Sequence, residues 1–351
     1  MSRDIQLSQA TVFELSEADR AVGALAGLGA RLPNPHLLIR PYLRREAVAS
    51  TRIEGTQSSL SDVLSAEAQL RVETEDQREV LNYVRALEHG LRRLPTLPLS
   101  KRLIREMHAE LLAGVRGEER TPGEFRRSQN WIGGTNPSNA LFVPPPVDLL
   151  EDALDDFEAF LHQDLRIPLL IRCALVHSQF ETIHPFLDGN GRLGRLLIVF
   201  YLIERGVMSQ PLLYLSAYFE RNRDEYVGAL QGVRERGDMD TWISFFLRGV
   251  TVQANSAIDA ADALLRLREE FRGRLRQARA RGQVADAADA LIGNPFVSVP
   301  QLAQLLGLTR QGAQYVISSL ERAGIVESVP GKTRPALHVA REVLDVLQRD
   351  D

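Results

Sequence analysis

His184-Pro185-Phe186-Leu187-Asp188-Gly189-Asn190-Gly191-Arg192-Leu193-Gly194-Arg195 is the stretch around which the chain is built. Upstream of it, residues 168–183 read as a mostly apolar helix opened by a proline. Pro185 disfavours helical dihedrals at His184, so that helix should stop there. Downstream, Leu193, Leu196, Leu197, Phe200 and Tyr201 repeat at helical spacing, which starts a second helix near Gly191 or Arg192. Gly189 and Gly191 open backbone conformations closed to other residues and let the main chain approach a ligand closely. The product is an anion cradle at a helix N-terminus, with free N–H groups at a positive dipole end. An imidazole, a carboxylate and two guanidinium groups surround it. Together they describe a nucleotide site.

The residue types suit that chemistry. Asp188 is a hard oxygen ligand, fit for a magnesium ion that also holds phosphate oxygens. Arg192 and Arg195 stand three apart on one helical face and can fork onto phosphates. His184 is the one side chain of the loop with an ordinary pKa near neutrality, hence the candidate general base. Phe186 should point into the core and pin the loop. Taken two at a time, these residues describe only a corner between helices. All of them together describe more.

The stretch matches the pattern His-Pro-Phe-x-Asp-Gly-Asn-Gly-Arg-x-x-Arg at each of its nine specified positions, and in this the chain resembles the Fic family. The resemblance implies a mainly α fold: a Fic-type helical core with a small β-hairpin flap. It implies transfer of AMP from ATP, with Mg2+, to a protein hydroxyl (Ser, Thr or Tyr) and release of pyrophosphate. His184 would deprotonate the hydroxyl and Asp188 would bind the metal. The nucleotide-binding set would be Gly189, Asn190, Gly191, Arg192, Leu193, Gly194 and Arg195, with Arg192 and Arg195 on the β- and γ-phosphates.

Composition is consistent with this. A chain of 351 residues has room for two or three domains. Apolar residues at 44% and charged ones at 25% describe an ordinary globular protein. A net charge of −4 gives no general attraction to nucleic acid or anionic membranes. The single Cys173 cannot form an intrachain disulfide, which suits a reducing cytoplasm. The polar start is no signal peptide, and the longest apolar run, residues 196–203, is far short of the ~20 residues that span a bilayer. The expectation is a cytoplasmic protein with no membrane contact.

Residues 1–35, with Pro33 and Pro35, carry no motif. Residues 41–54 read as a helix with Pro41 at its start and Gly55 beyond its end. Glu54 then sits at the negative end of the helix dipole, at a cost of ~0.3–1 kcal/mol, and wants a cation. Ser50 lies one turn earlier on the same face. Spacing alone favours a solvated glutamate at a frayed helix end. The sequence Ser50-Thr51-Arg52-Ile53-Glu54-Gly55 resembles the inhibitory motif of Fic proteins, Ser/Thr-x-x-x-Glu-Gly/Asn. The resemblance implies that Glu54 holds Arg195 away from the γ-phosphate.

Helical periodicity continues over residues 59–94, with Glu73, Glu75 and Asp76, and Ser100 is an N-cap for a helix to about residue 112 that carries His108, a surface or packing histidine rather than a ligand. Trp131-Ile132 and Leu141-Phe142-Val143 read as a hairpin around a Gly- and Asn-rich tip, kept narrow by Pro144, Pro145 and Pro146. In Fic proteins a hairpin here, the flap, lays the target segment beside the site by strand addition. Residues 131–143 would present the target hydroxyl. Residues 214–238 hold Tyr214, Tyr218, Phe219 and Tyr226. Resemblance to an Arg-x-x-Tyr-Tyr segment sets Tyr226 against the adenine, although the second tyrosine is Val227 here.

Residues 242–250 are apolar, and residues 251–282 read as one long helix whose Leu264, Leu267, Phe271 and Leu275 form a narrow stripe. Seven arginines between 266 and 281 fit a solvated connecting helix. Three helices (285–292, 299–306, 309–323) and two extended segments (325–329, 336–339) then resemble a winged helix–turn–helix unit. Residues 285–351 hold six Lys/Arg against eight Asp/Glu, and residues 310–334 four against two. That balance supports at most weak DNA binding and leaves protein docking or dimerisation open.

The expected division is residues 1–95 (N-terminal region with the inhibitory helix, about 41–55), 96–250 (catalytic core), 251–282 (connecting helix) and 283–351 (winged-helix-like domain). Self-AMPylation and a homodimer are further expectations. An ATP-sensing DNA-binding regulator, or removal of AMP by the same site, are the competing readings.

Overall fold

The structure is a computed structural model, and it describes residues 5–31, 36–72, 74–331 and 335–349. Pro33, Pro35, Glu73 and two of the cations counted in the C-terminal unit, Lys332 and Arg334, lie outside the described residues. Helices dominate: α1 (Gln9–Arg31), α2 (His36–Ile53), α3 (Leu60–Gln69), α4 (Glu75–Arg93), α5 (Lys101–Leu111), α6 (Leu150–His162), α7 (Leu169–Ile183) and α8 (Asn190–Glu204). After them come α9 (Ser216–Arg221), α10 (Arg223–Arg236), α11 (Met239–Gln277) and α12 (Val284–Gly293). A small unit closes the chain: β1 (Phe296–Ser298), α13 (Val299–Leu306), α14 (Arg310–Arg322), β2 (Glu327–Ser328), β3 (Leu337–Val339) and α15 (Arg341–Gln348). Among the described residues, no helix is long and apolar enough to cross a membrane.

The antiparallel pair α7 and α8 forms the centre. Almost every side chain of both helices is buried, so neither has a polar face, as expected of helices surrounded by others. Helix α7 ends where Pro185 requires. His184 caps it in the left-handed region (φ 48°) and donates its N–H to the Phe180 carbonyl. Helix α8 starts at Asn190, one residue earlier than the apolar spacing suggests, with Gly189 at φ 76° as its cap.

Several expectations need correction. Helix α2 begins at His36, so Pro41 is inside it. There the ring removes one main-chain bond close to the helix start, where few bonds depend on it. The long segment is one helix from Met239 to Gln277, so the apolar residues 242–250 and the connecting stripe belong to a single rod capped by Asp238. No proline falls between them, and Gly249 alone does not end a helix. Residues 59–94 split into α3 and α4, each opened by a reciprocal capping box, at Ser59–Asp62 and Thr74–Gln77. The hairpin at 131–143 is reduced to a single bridge, Ile132 with Phe142, and its tip is a short turn capped by Asn136.

In the C-terminal unit the strand order is β1-β3-β2, all antiparallel, with α13 and α14 between β1 and β2. The unit is tied to the N-terminal helices. Asn294 Nδ2 donates to the Leu64 carbonyl at 3.1 Å, and Ser298 Oγ donates to the Ala68 carbonyl at 2.6 Å. Arg274 of α11 holds Glu342 of α15.

Candidate active site

The loop between α7 and α8 is gripped from behind by residues distant in sequence. Phe186 is fully buried and stacks on His108, centroids 3.7 Å apart and planes 12° apart. His108 Nδ1 accepts the Gly123 N–H at 2.8 Å, so its proton is on Nε2, which lies 3.0 Å from the Asp188 carbonyl. Burial pushes this imidazole down to about 4, which keeps it neutral and the arrangement intact. Asn130 Nδ2 donates to the carbonyls of His184 (3.1 Å) and Phe186 (2.8 Å), while Arg126 Nε donates to the His184 carbonyl (3.1 Å). The Asn190 side chain closes the loop on itself, accepting from Phe186 N–H at 2.9 Å and donating to the Phe186 carbonyl at 2.8 Å. Main-chain groups that would otherwise point inward unsatisfied are thus held by side chains, and the turn is rigid.

The front of the loop is open. Gly189 N–H turns to Asp188 Oδ1 at 2.5 Å, so it belongs to the loop. The first-turn N–H groups of Asn190, Gly191 and Arg192 have no acceptor within their own helix, and they form the anion cradle. Gly191 departs from expectation: it is helical, and its small size serves another purpose. A Cβ there would fall 2.3 Å from Glu54 Oε1. The glycine makes room for a carboxylate laid across the cradle.

That carboxylate is held by Arg195. Arg195 is almost fully buried and makes three bonds to the end of α2: Nε to Ser50 Oγ, Nη2 to the Ser50 carbonyl and Nη2 to Glu54 Oε1, each 2.8 Å. Burial alone would push Glu54 up, but the charge and hydrogen bond of Arg195 bring it below the ordinary carboxylate range. Sequence reading placed Ser50, Glu54 and Arg195 together, and the structure brings them together.

Arg192 is equally buried and is committed to carboxylates. Nη1 lies 3.0 Å from Glu79 Oε2 of α4 and Nη2 lies 3.2 Å from Asp188 Oδ1. Glu79 is a partner that sequence reading missed, because an acidic residue on a helix ahead of the core carries no signal by itself. Asp188 keeps Oδ2 toward Gly117, where an added Cβ would come within 2.8 Å. Leu193 is fully buried on the inner side of α8. The Gly194 carbonyl accepts from His177 Nδ1 at 3.0 Å. Neither is brought to the open face.

His184 stands at the edge of the cradle, its side chain 19% exposed. Burial and the neighbouring Arg234 push it down to about 4, so the ring is neutral near pH 7 and keeps a lone pair. Arg234 lies beneath the flap, its guanidinium 4.5 Å from the Phe142 ring. Tyr226 lies deeper. It is buried, stacked on Phe219 (4.6 Å), and its hydroxyl is 2.8 Å from His177 Nε2.

A model described as Fic/DOC family N-terminal matches residues 12–92, and one described as Fic/DOC family matches residues 98–202. A probable protein adenylyltransferase of Aquifex aeolicus is 28% identical over 200 residues, 55% of this chain and 55% of that protein. A protein adenylyltransferase Fic of Aedes aegypti is 34% identical over 148 residues, 40% of this chain and 26% of that protein. The chain thus spans about half, or less, of the length of these relatives. Among solved structures, a Fic family protein from Desulfovibrio desulfuricans superposes with a TM-score of 0.62 at 18% identity, over 97% of this chain and 98% of that one. Fic-1 of C. elegans superposes at 0.56 with 22% identity, over 72% and 74%. The fold is shared.

Proposed function

Because the chain belongs to the Fic/DOC family, we propose that it transfers AMP from ATP to a hydroxyl of a target protein, and that Glu54 restrains this activity. The observation that carries the reading is the loop itself: a neutral imidazole, a half-exposed carboxylate and three outward amides on one rigid turn, facing a buried arginine. The target hydroxyl gives its proton to His184, its oxygen bonds to the α-phosphorus, and the bond to pyrophosphate breaks. The cradle amides and Arg195 hold the polyphosphate, and Arg192, anchored on Glu79, fixes Asp188. Glu54 lies against Gly191 and on Arg195, and is itself an anion in the place of phosphate.

The donor set fits a magnesium ion. Among the described residues no cluster of three metal-ligating side chains exists, and a single carboxylate is what magnesium takes when phosphates and water supply its remaining ligands. Asp188 would hold it, and the ion would draw charge from the phosphate oxygens. The proposal sets the target along residues 131–143, where Trp131, Leu141 and Val143 are exposed. Tyr226 enters it through the inner wall near Arg195, which acts on its hydroxyl.

The division into N-terminal region, core, connecting helix and C-terminal unit is proposed with it, as is a cytoplasmic location for a chain whose one cysteine is free and buried. The outward face of α14 offers Arg310 and Arg322 beside Gln311, Gln314 and Tyr315. Two cations favour a docking role over DNA reading.

Incubation of wild type, Glu54→Gly and Glu54→Gly/His184→Ala with α-labelled ATP, magnesium and lysate tests the reading. Label should appear on protein with Glu54→Gly and vanish in the double variant. No label with Glu54→Gly, despite bound ATP, would overturn it.

A further inference from the structure

Glu181 stands one helical turn before His184, on the last turn of α7, and is buried. Its Oε1 has no hydrogen-bond partner among the described residues and is pressed against Gly194, where an added Cβ would come within 2.5 Å. Its Oε2 faces His184 Nδ1 at 3.9 Å, and Nδ1 likewise has no hydrogen-bond partner. Two buried atoms beside the reacting loop, Glu181 Oε1 and His184 Nδ1, are thus orphaned, each of a kind that costs ~1–3 kcal/mol when left unmet. A glycine on α8 clears the space for one of them. Such pairs are rare in folded interiors without a task to explain them.

We propose that Glu181 is the positioning residue of the transfer step: its carboxylate orients the imidazole of His184 and balances the charge that ring acquires. The proposal rests on the reading of His184 as base. A neutral imidazole carries one N–H and one lone pair. With the N–H on Nδ1, directed at Glu181 Oε2, the lone pair is on Nε2 and faces the loop's open side. The O–H bond of the target breaks as its proton passes to Nε2. The freed electron pair forms the O–P bond, and the P–O bond to pyrophosphate breaks with its electrons leaving on pyrophosphate. The ring is then an imidazolium, and a small rotation makes the 3.9 Å approach a charge-assisted hydrogen bond.

The charges around the ring single out this carboxylate. Arg234 from α10 and Arg126 from the segment ahead of the flap both oppose a positive ring, and Glu54 from α2 favours it. In the proposed reaction Glu54 leaves when the polyphosphate arrives, so Glu181 is the acidic side chain that remains. Glu181 is itself faced by Arg195 of α8, Arg234 and Glu54. Burial pushes it up to about 7, so it is close to releasing or accepting a proton under ordinary conditions. The main-chain carbonyl of Glu181, which accepts from Arg234 Nη2 at 2.9 Å, also faces the ring, and a change confined to the side chain separates the two.

The test uses the full chain as Glu54→Gly and Glu54→Gly/Glu181→Gln, with 15N-labelled histidine and His184→Ala to assign the ring. Glu181→Gln should slow self-labelling by α-labelled ATP about 10- to 100-fold, within the range general-base assistance supplies. ATP affinity by calorimetry should stay within about twofold, since no nucleotide contact is lost. The His184 15N shifts at pH 7.5 should move away from the Nδ1–H tautomer. An unchanged tautomer, or an unchanged labelling rate, overturns the proposal and leaves the carbonyl as the ring's only guide. If the Glu54→Gly parent transfers no AMP, the adenylyl-transfer reading fails, while the tautomer still decides whether Glu181 orients the ring.

Discussion

Replacing Glu54 by glutamine and by glycine separates the charge of the lock from its hydrogen bond. In the parent, Glu54 Oε1 accepts from Arg195 Nη2 at 2.8 Å, and the carboxylate fills the space that Gly191 leaves open. A hydrogen bond between charged groups contributes ~1.5–3 kcal/mol. Glu54 is 34% exposed, so solvent screening brings the expected value to about 1–1.5 kcal/mol. That free energy is what ATP must overcome to take Arg195, so Glu54→Gly should tighten ATP binding by about 5- to 10-fold. Glutamine keeps the shape and one acceptor but loses the charge, and should recover about half of that gain in free energy.

Both variants keep Arg195 on the Ser50 hydroxyl and carbonyl, so its buried charge stays partly met and the fold should hold. Isothermal titration with ATP and magnesium at low and at high salt is the assay. The parent should gain affinity for ATP relative to Glu54→Gly as salt screens the lock. Identical dissociation constants for all three proteins would refute the competition of Glu54 with the polyphosphate, whatever the rates show.

Other side chains give equally direct tests. Asn130→Ala removes two donors from the loop carbonyls, although Arg126 and Asn190 still reach them; it should cost ~1–2 kcal/mol, and Asn130→Asp, which turns an acceptor toward those carbonyls, should cost more in urea unfolding. Equal stability of Asn130→Ala and wild type would show that the loop needs no such clamp. Gly194→Ala should cost ~1–3 kcal/mol by overpacking, since its methyl meets Glu181 Oε1 at 2.5 Å and Phe180 at 3.3 Å; an unshifted denaturation midpoint would contradict the close approach.

Glu46, on the buried face of α2, is raised by burial from 4.5 to about 7 despite hydrogen bonds from Ser216 and Tyr83. Between those pH values the folded chain holds a proton that the unfolded chain has released. Its contribution to stability is therefore full below 4.5 and lost as pH rises through about 7, at a slope of at most ~1.4 kcal/mol per pH unit. Glu46→Gln should flatten the dependence of unfolding free energy on pH between 5 and 7, and an unchanged profile would refute the assignment.

How much of this was legible in the sequence differs from element to element. The end of α7 and, to within a residue, the start of α8 were legible because proline and glycine act on their own backbone. Ser100 was legible as a cap for the same local reason, and it accepts from the first turn of its helix. The bounds of α2 were not, because Pro41 is tolerated where tertiary packing outweighs one missing bond. Strand β1 and helix α15 escaped notice: three residues and eight residues hold too little periodicity to stand out, and their order comes from pairing and burial.

Within the site, the sequence alone determined the kinds of group present: an imidazole after one helix, a carboxylate and glycines in a turn, arginines opening the next helix, and a Ser–Glu pair ending an earlier one. Those are properties of neighbours along the chain, and local stereochemistry carries them. Only the tertiary structure decided which charge meets which: Arg192 with Glu79, 113 residues apart, Arg195 with Glu54, 141 apart, and His108 and Asn130 behind the loop. Burial decided the rest, because leaving water is what raises Glu181 to about 7 and makes His184 give up its proton, and no stretch of sequence states how deeply a side chain will be enclosed.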